Sequence, residues 1–249
     1  MVHGIERYKS EFSQFAEQYV LIGGSACSLI LEDLNSEFRA TKDLDIVLVV
    51  EALKEDFVKA FCDFIEKGGY EHINKNKENQ YYRFSKPKDD NFPAMLELFS
   101  RRPDYLKNIE TRLAPIHISD DVISLSAILL DDDYYSLITT GSVKVDNISV
   151  LRIEYLLLFK MKAWLDLSER KNKGENIDSK NIKKHINDVI RLTINLDSAD
   201  SVVLPDRIKE DATRFLAEME NNPVNLKSLK ISNIKYSDII ERIKKCLGL

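Results

Sequence analysis

The sequence runs to 249 residues, 44% of them hydrophobic and 31% charged, with only eight Gly and six Pro. That is enough apolar material for one large domain or two smaller ones, and it excludes a collagenous, linker-like or disordered chain. The formal net charge of −5 makes the chain as a whole a poor general nucleic-acid binder, because sequence-independent affinity comes from neutralised phosphates.

In chain order, Glu6 to Gln18 reads as an amphipathic helix, with Tyr8, Phe12 and Phe15 at helical spacing. Tyr19–Ile22 (YVLI) is a short apolar strand ended by Gly23-Gly24, and Ser25 is placed to cap a helix reaching Asp33. Leu44–Val50 is rich in the β-branched residues that favour buried strands. Lys54 to Lys67 forms a helix docked through Phe57, Phe61, Phe64 and Ile65, and Gly68-Gly69 stops it. Strands follow around Glu71–Asn74, Gln80–Phe84 and Ala94–Phe99, then Pro115–Ile118 and Val143–Val150, the last with a turn at Asp146-Asn147. Ser124 to Ile138 fits a strand or a helix equally.

Beyond Val150 the pattern changes to helices over Arg152–Ser168, Ser179–Ile194, Pro205–Glu220 and Tyr236–Leu247. The expected fold is therefore α/β (α+β): a mixed-sheet domain over 1–150, then an all-helical domain over 151–249. Charge divides the same way. Residues 1–150 carry 17 Lys+Arg against 26 Asp+Glu, whereas Lys160 to Arg191 carries nine against five. The basic surplus of the C-terminal part permits a local polyanion site.

Cys27, Cys62 and Cys246 are odd in number and lack CxxC spacing, which argues against a disulfide framework or a structural zinc site. No signal-peptide core opens the chain and no apolar run approaches 18 residues, so the expectation is a cytoplasmic protein with no membrane partner.

The chemistry concentrates in Gly23 to Asp45, GGSACSLILEDLNSEFRATKDLD. No GxxxxGK[ST], GxGxxG, HExxH or GxSxG motif occurs anywhere in the chain. What occurs is a strand, a Gly-Gly-Ser turn, a helix, and two aspartates opening a second strand. Residues i and i+2 of a strand share a face, so Asp43 and Asp45 project together. Two such carboxylates repel unless a cation lies between them, and oxygen ligands of this kind suit Mg²⁺. Glu97, in the otherwise apolar AMLELF, is the candidate third carboxylate if its strand pairs beside Leu44–Val50. Three carboxylates can hold two Mg²⁺ ions. A Gly-Gly-Ser turn at a helix start offers backbone N–H groups to phosphate oxygens. Each part alone has an ordinary structural reading; their order and spacing together point to phosphoryl or nucleotidyl transfer.

Gly23-Gly24-Ser25 followed by Arg39-Ala40-Thr41-Lys42-Asp43-Leu44-Asp45 resembles the opening of the DNA polymerase β-type nucleotidyltransferase superfamily. The Arg-x-Thr-x-Asp-x-Asp form resembles its AbiEii toxin-like branch, and LLLFKMKAWLDLSERKNKGENIDSKNIKKHINDVIRL resembles the helical domain of that branch. The resemblance covers roughly residues 15 to 195. It implies that Gly23, Gly24 and Ser25 contact a triphosphate, with Arg39 and Thr41 in the nucleotide-binding loop. It further implies that Asp43, Asp45 and Glu97 hold metal, that Lys160 meets phosphate, and that Asp188 is the later acidic residue. Where relatives show Lys-Asp-x-x-Asp, this chain reads Lys184-His185-Ile186-Asn187-Asp188. Lys162 lies about 200° around the helix from Lys160, and the family pattern selects Lys160.

Other candidates have structural readings. His185 fits a helix-surface or capping place, and Trp164 and Phe159 fit packing of the helical domain against the sheet. Asp131-Asp132-Asp133 has the composition of another metal site but fits a solvated loop or a helix start better, and Cys27 fits the core. The function implied is Mg²⁺-dependent transfer of an NMP group from an NTP to an acceptor hydroxyl. The toxin-like branch implies an RNA or tRNA acceptor and an antitoxin protein encoded alongside. The alternatives are an antibiotic-type nucleotidyltransferase acting on a small molecule, and a catalytically inactive nucleotide-binding or interaction module.

Overall fold

The computed structural model describes residues 2–36, 38–39, 41–73, 81–100, 128–129, 131–197 and 201–249. The expected strand at Pro115–Ile118, and most of the ambiguous segment from Ser124, lie outside the described residues. Two compact units emerge, Met1–Ile118 with Ser136–Arg152 and Ser119–Tyr135 with Ile153–Leu249.

The first unit is a seven-stranded mixed sheet. Its strands are β1 (Tyr19–Ile22), β2 (Asp43–Leu48), β3 (Glu71–Ile73), β4 (Tyr81–Ser85), β5 (Met95–Phe99), β6 (Ser142–Val145) and β7 (Ile148–Leu151), in the order β3-β4-β5-β2-β1-β7-β6. β1 runs antiparallel to β2 and parallel to β7, while β2 and β5 are parallel. The central β1 is buried at all four residues, as a strand covered on both faces must be. At the β6–β7 turn Asp146 and Asn147 both take positive φ, 48° and 64°, the conformation a two-residue hairpin needs.

Helices α1 (Ile5–Phe12) and α3 (Glu55–Gly68) build an aromatic core with this sheet. Phe12 is its hub: its ring centroid lies 4.5 Å from Tyr8, 5.2 Å from Phe64, 5.7 Å from Phe57 and 5.9 Å from Phe61. Burying each such ring contributes about 1.5–3 kcal/mol, with a further ~0.5–1.5 kcal/mol for a well-placed aromatic pair.

This core corrects one expectation. The first helix stops at Phe12 instead of reaching Gln18, and Ser13–Phe15 tightens into a 3₁₀ turn closed by Gln18 N–H on the Phe15 carbonyl at 2.8 Å. The tight turn keeps Phe15 against Phe57 at 5.8 Å, and that packing outweighs continued helix periodicity. Helix α2 (Gly23–Asp33) likewise begins two residues before the expected Ser25 cap, with Ile22 at the N-cap and no side-chain cap bond.

The second unit is helical. Helix α4 (Asp132–Thr140), whose first turn to Tyr135 belongs to this unit and whose remainder belongs to the first, starts where the Asp131 carboxylate accepts from the Asp133 N–H at 3.0 Å. Helix α5 (Ile153–Asn172) is buried around most of its circumference and packs against α6 (Ser179–Ile194) and α7 (Asp206–Asn221). Helix α8 (Tyr236–Leu247) closes on α6 and α7. Trp164 stacks edge-on to Phe215 at 5.3 Å and Phe159 meets Tyr134 at 5.6 Å, so both aromatics, expected against the sheet, have ring partners inside the helical unit. Among the described residues no helix is long and apolar enough to cross a membrane.

Candidate functional site

At the end of β1 the chain turns directly into α2. Gly23 makes this possible with φ 68°, a conformation that costs an L-residue about 1–2 kcal/mol. The glycine is required for a second reason. A Cβ built there would stand 1.7 Å from Asp45 Oδ2, so the carboxylate rests on the bare backbone of the turn. At Gly24 a Cβ would stand 3.0 Å from Thr41 Oγ1 and 3.4 Å from Arg39 Nη2. The Gly-Gly turn, Thr41, Arg39 and Asp45 therefore gather at the N-terminus of α2, the end at which helix amides and the helix dipole favour an anion. Ser25 is fully buried, and its hydroxyl donates to the Ile22 carbonyl at 3.3 Å.

Strand register supplies the remaining groups. Ile22 pairs with Asp45, Asp45 with Glu97, and Glu97 with Arg83, one row across β1, β2, β5 and β4. Glu97 is 5% exposed. Burial, reinforced by the charge and hydrogen bond of Asp45, pushes its carboxyl well above the usual carboxylate range, against the opposing pull of Arg83. Arg83 Nε donates to Glu97 Oε1 at 2.7 Å, and Nη2 closes on the same oxygen. Asp43 lies two residues back on β2, opposite Met95 and half-buried like Asp45.

The donor chemistry suits a hard divalent cation: carboxylate oxygens, with no thiolate or imidazole among them. The three acids are nevertheless not drawn together as one ligand set. Among the described residues no group of three or more His, Cys, Asp or Glu side chains is arranged to hold a metal, and one Glu97 oxygen is engaged by Arg83. Asp43 and Asp45 are thus the residues that fit a cation, with Glu97 and Arg83 as a buried pair behind them. Arg83 is the site residue that the sequence pattern does not reveal. Its one signal is a charged side chain between Tyr82 and Phe84 in an otherwise aromatic strand.

Lys160 and Asp188 belong to the helical unit and pair with each other, Nζ to Oδ2 3.1 Å, both side chains buried. His185, expected on a helix surface or at a cap, is instead 6% exposed on the buried face of α6 one turn before Asp188. Lys162 engages a different acid, Asp211, at 2.6 Å. Cys27 is fully buried.

No family model matches the sequence, and no curated protein matches it. One solved structure similar to this chain is the Megavirus polyadenylate synthase, at a TM-score of 0.34 and 10% sequence identity over 97% of this chain. The match takes in 48% of that structure, so this chain spans about half its length.

Proposed function

We propose that this protein is a divalent-metal-dependent nucleotidyltransferase that moves an NMP group from an NTP to an acceptor hydroxyl. The observation that carries the reading is the seating of Asp45 on Gly23, in register with Glu97, at the N-terminus of α2. Neighbouring carboxylates repel one another, and a nucleotide with its cation would offset that repulsion while its phosphates meet the helix amides. Asp43 and Asp45 would hold the cation, which supplies charge neutralisation on the phosphates. The amides of Gly23 and Gly24 would bind phosphate oxygens, and Arg39 and Thr41 would orient the phosphates from the loop facing them. Arg83 fixes the rotamer of Glu97 and so the position of Asp45. The finer reading is an AbiEii-like toxin with an RNA or tRNA acceptor and an antitoxin partner; the Arg-x-Thr-x-Asp-x-Asp motif supports it.

A second reading is a nucleotide-binding module without turnover, and the engagement of Glu97 by Arg83 favours it. Incubation with Mg²⁺ and each α-labelled NTP, with and without total tRNA, separates the two. Label transferred to RNA by the wild type and lost in Asp45→Asn is the expected result. Calorimetric Mg²⁺–NTP binding without transfer to any acceptor would establish the module, and wild-type turnover by Asp45→Asn would overturn the site assignment.

A further inference from the structure

Helix α6 presents two chemically opposite faces. At 100° per residue, His185, Ile186, Asp188, Val189, Ile190, Leu192 and Thr193 occupy the buried arc. The solvent arc holds Lys180, Lys183, Lys184, Asn187 and Arg191. Those four cations fall within about 100° of one another and span about 17 Å along the axis. The one acid inside the helix, Asp188, is fully buried and paired with Lys160. The exposed N-cap Asp178 accepts from the Lys180 backbone N–H at 2.8 Å. At the far end Arg242 donates to the Ile194 carbonyl at 3.2 Å, adding a fifth cation beside the stripe.

Elsewhere in the helical unit several surface cations are matched. Arg170 pairs with Glu175, Lys173 with Glu169, Arg207 with Asp131 and Lys244 with Glu220. Among the described residues Lys180, Lys183 and Arg191 have no such ion pair. The arrangement works against the helix itself. Lys180 faces Lys183 at a spacing where like charges cost a few tenths of a kcal/mol, and both lie near the end that the helix dipole already makes positive. A single-sign stripe with an internal cost fits an external polyanion.

We propose that this face of α6 is a docking surface for the phosphodiester backbone of a nucleic-acid strand. Its solvent arc carries no aromatic ring on which a base could stack, so the recognition is of backbone charge, indifferent to base sequence and steeply salt-dependent. The −9 balance of residues 1–150 confines such binding to this local face. The inference does not depend on the nucleotidyl-transfer reading, because it concerns binding alone.

The test is fluorescence anisotropy of a labelled 20-nucleotide RNA, and of DNA of the same sequence, with the full chain at graded salt. Lys180→Gln/Lys183→Gln/Lys184→Gln is compared with Lys209→Gln/Lys227→Gln/Lys230→Gln, which changes net charge equally on other elements. Gln keeps the helix propensity of Lys, and circular dichroism checks the fold of both variants. The stripe variant should bind at least tenfold more weakly, with a log K–log salt slope shallower by about 2, at ~0.7 per lost phosphate contact. The second variant should stay within twofold of wild type. Equal loss in the two lysine variants, an unchanged slope in the stripe variant, or binding of anionic vesicles with none of RNA or DNA, would overturn the proposal.

Discussion

Gly23 and Gly24 stand side by side but are constrained by different physics. Gly23 holds φ 68°, and its missing Cβ leaves the space that Asp45 Oδ2 occupies. Gly23→Ala therefore combines a left-handed backbone penalty of about 1–2 kcal/mol with displacement of the carboxylate. Gly24 has no such backbone demand. Alanine there gains up to about 1 kcal/mol of helix propensity, and its Cβ meets the Thr41 hydroxyl at 3.0 Å, which a small shift relieves. The prediction is a dissociation. Gly23→Ala lowers both the urea midpoint and Mg²⁺–NTP affinity, whereas Gly24→Ala holds the midpoint or raises it while weakening nucleotide binding several-fold. Urea denaturation alongside calorimetry checks it; equal midpoints for the two variants would remove the special role given to Gly23.

At the scale of elements, the row Asp45–Glu97–Arg83 exists only because β5 lies between β2 and β4. The Arg83–Glu97 pair is 12% and 6% exposed at its side chains, and breaking such a pair from one side costs about 3–5 kcal/mol. Arg83→Met should destabilise on that scale, because Glu97 is left buried beside Asp45 without a counter-charge. Arg83→Met/Glu97→Gln should recover most of the loss, since the amide is neutral and can donate to Asp45. A double-mutant cycle in urea reads the coupling, and additive effects would show the pair to be dispensable. Strand alternation and the lone acid in AMLELF make Asp43, Asp45 and Glu97 legible in the amino-acid sequence alone. The α+β architecture is legible there too, from the change of period after Val150. Arg83 is not, because its importance lies in a cross-strand register and not in local spacing. The end of α1 is hidden for a similar reason: Phe12 and Phe15 fit one helical face in sequence, while packing against Phe57 and Phe64 is decided between elements. Asp188 and Lys160 can be picked out by resemblance, but their mutual pairing is a contact between two helices that neither sequence segment contains.

Across the whole molecule, the helical unit is held by more than apolar packing, and Asp211 is where its charges meet. Its carboxylate, 6% exposed as a residue, accepts from Lys162 Nζ at 2.6 Å and from the Tyr134 hydroxyl at 3.1 Å, with Arg214 at 3.8 Å. Lys162 also lies 5.6 Å from the centre of the Tyr134 ring. Burial and the neighbouring Asp211 charge push the Tyr134 hydroxyl far above its ordinary value, so it remains a donor throughout the accessible pH range. Three elements distant in sequence thus depend on one acid: the start of α4, the middle of α5 and the first half of α7. Asp211→Ala leaves Lys162 and Tyr134 facing a small cavity without an acceptor, which costs about 1–3 kcal/mol for the buried Tyr134 hydroxyl, with a smaller loss at the quarter-exposed Lys162. Asp211→Asn keeps an acceptor oxygen for Tyr134 while losing the charge, and should fall between alanine and wild type. Hydrogen exchange on the full chain resolves where the loss is felt. Protection should drop in α5 and α7 in the order wild type, Asp211→Asn, Asp211→Ala, with the amides of β2 and β5 unaffected. A uniform drop across helices and strands would mean that Asp211 stabilises the molecule globally and does not act as the local tie of the helical unit.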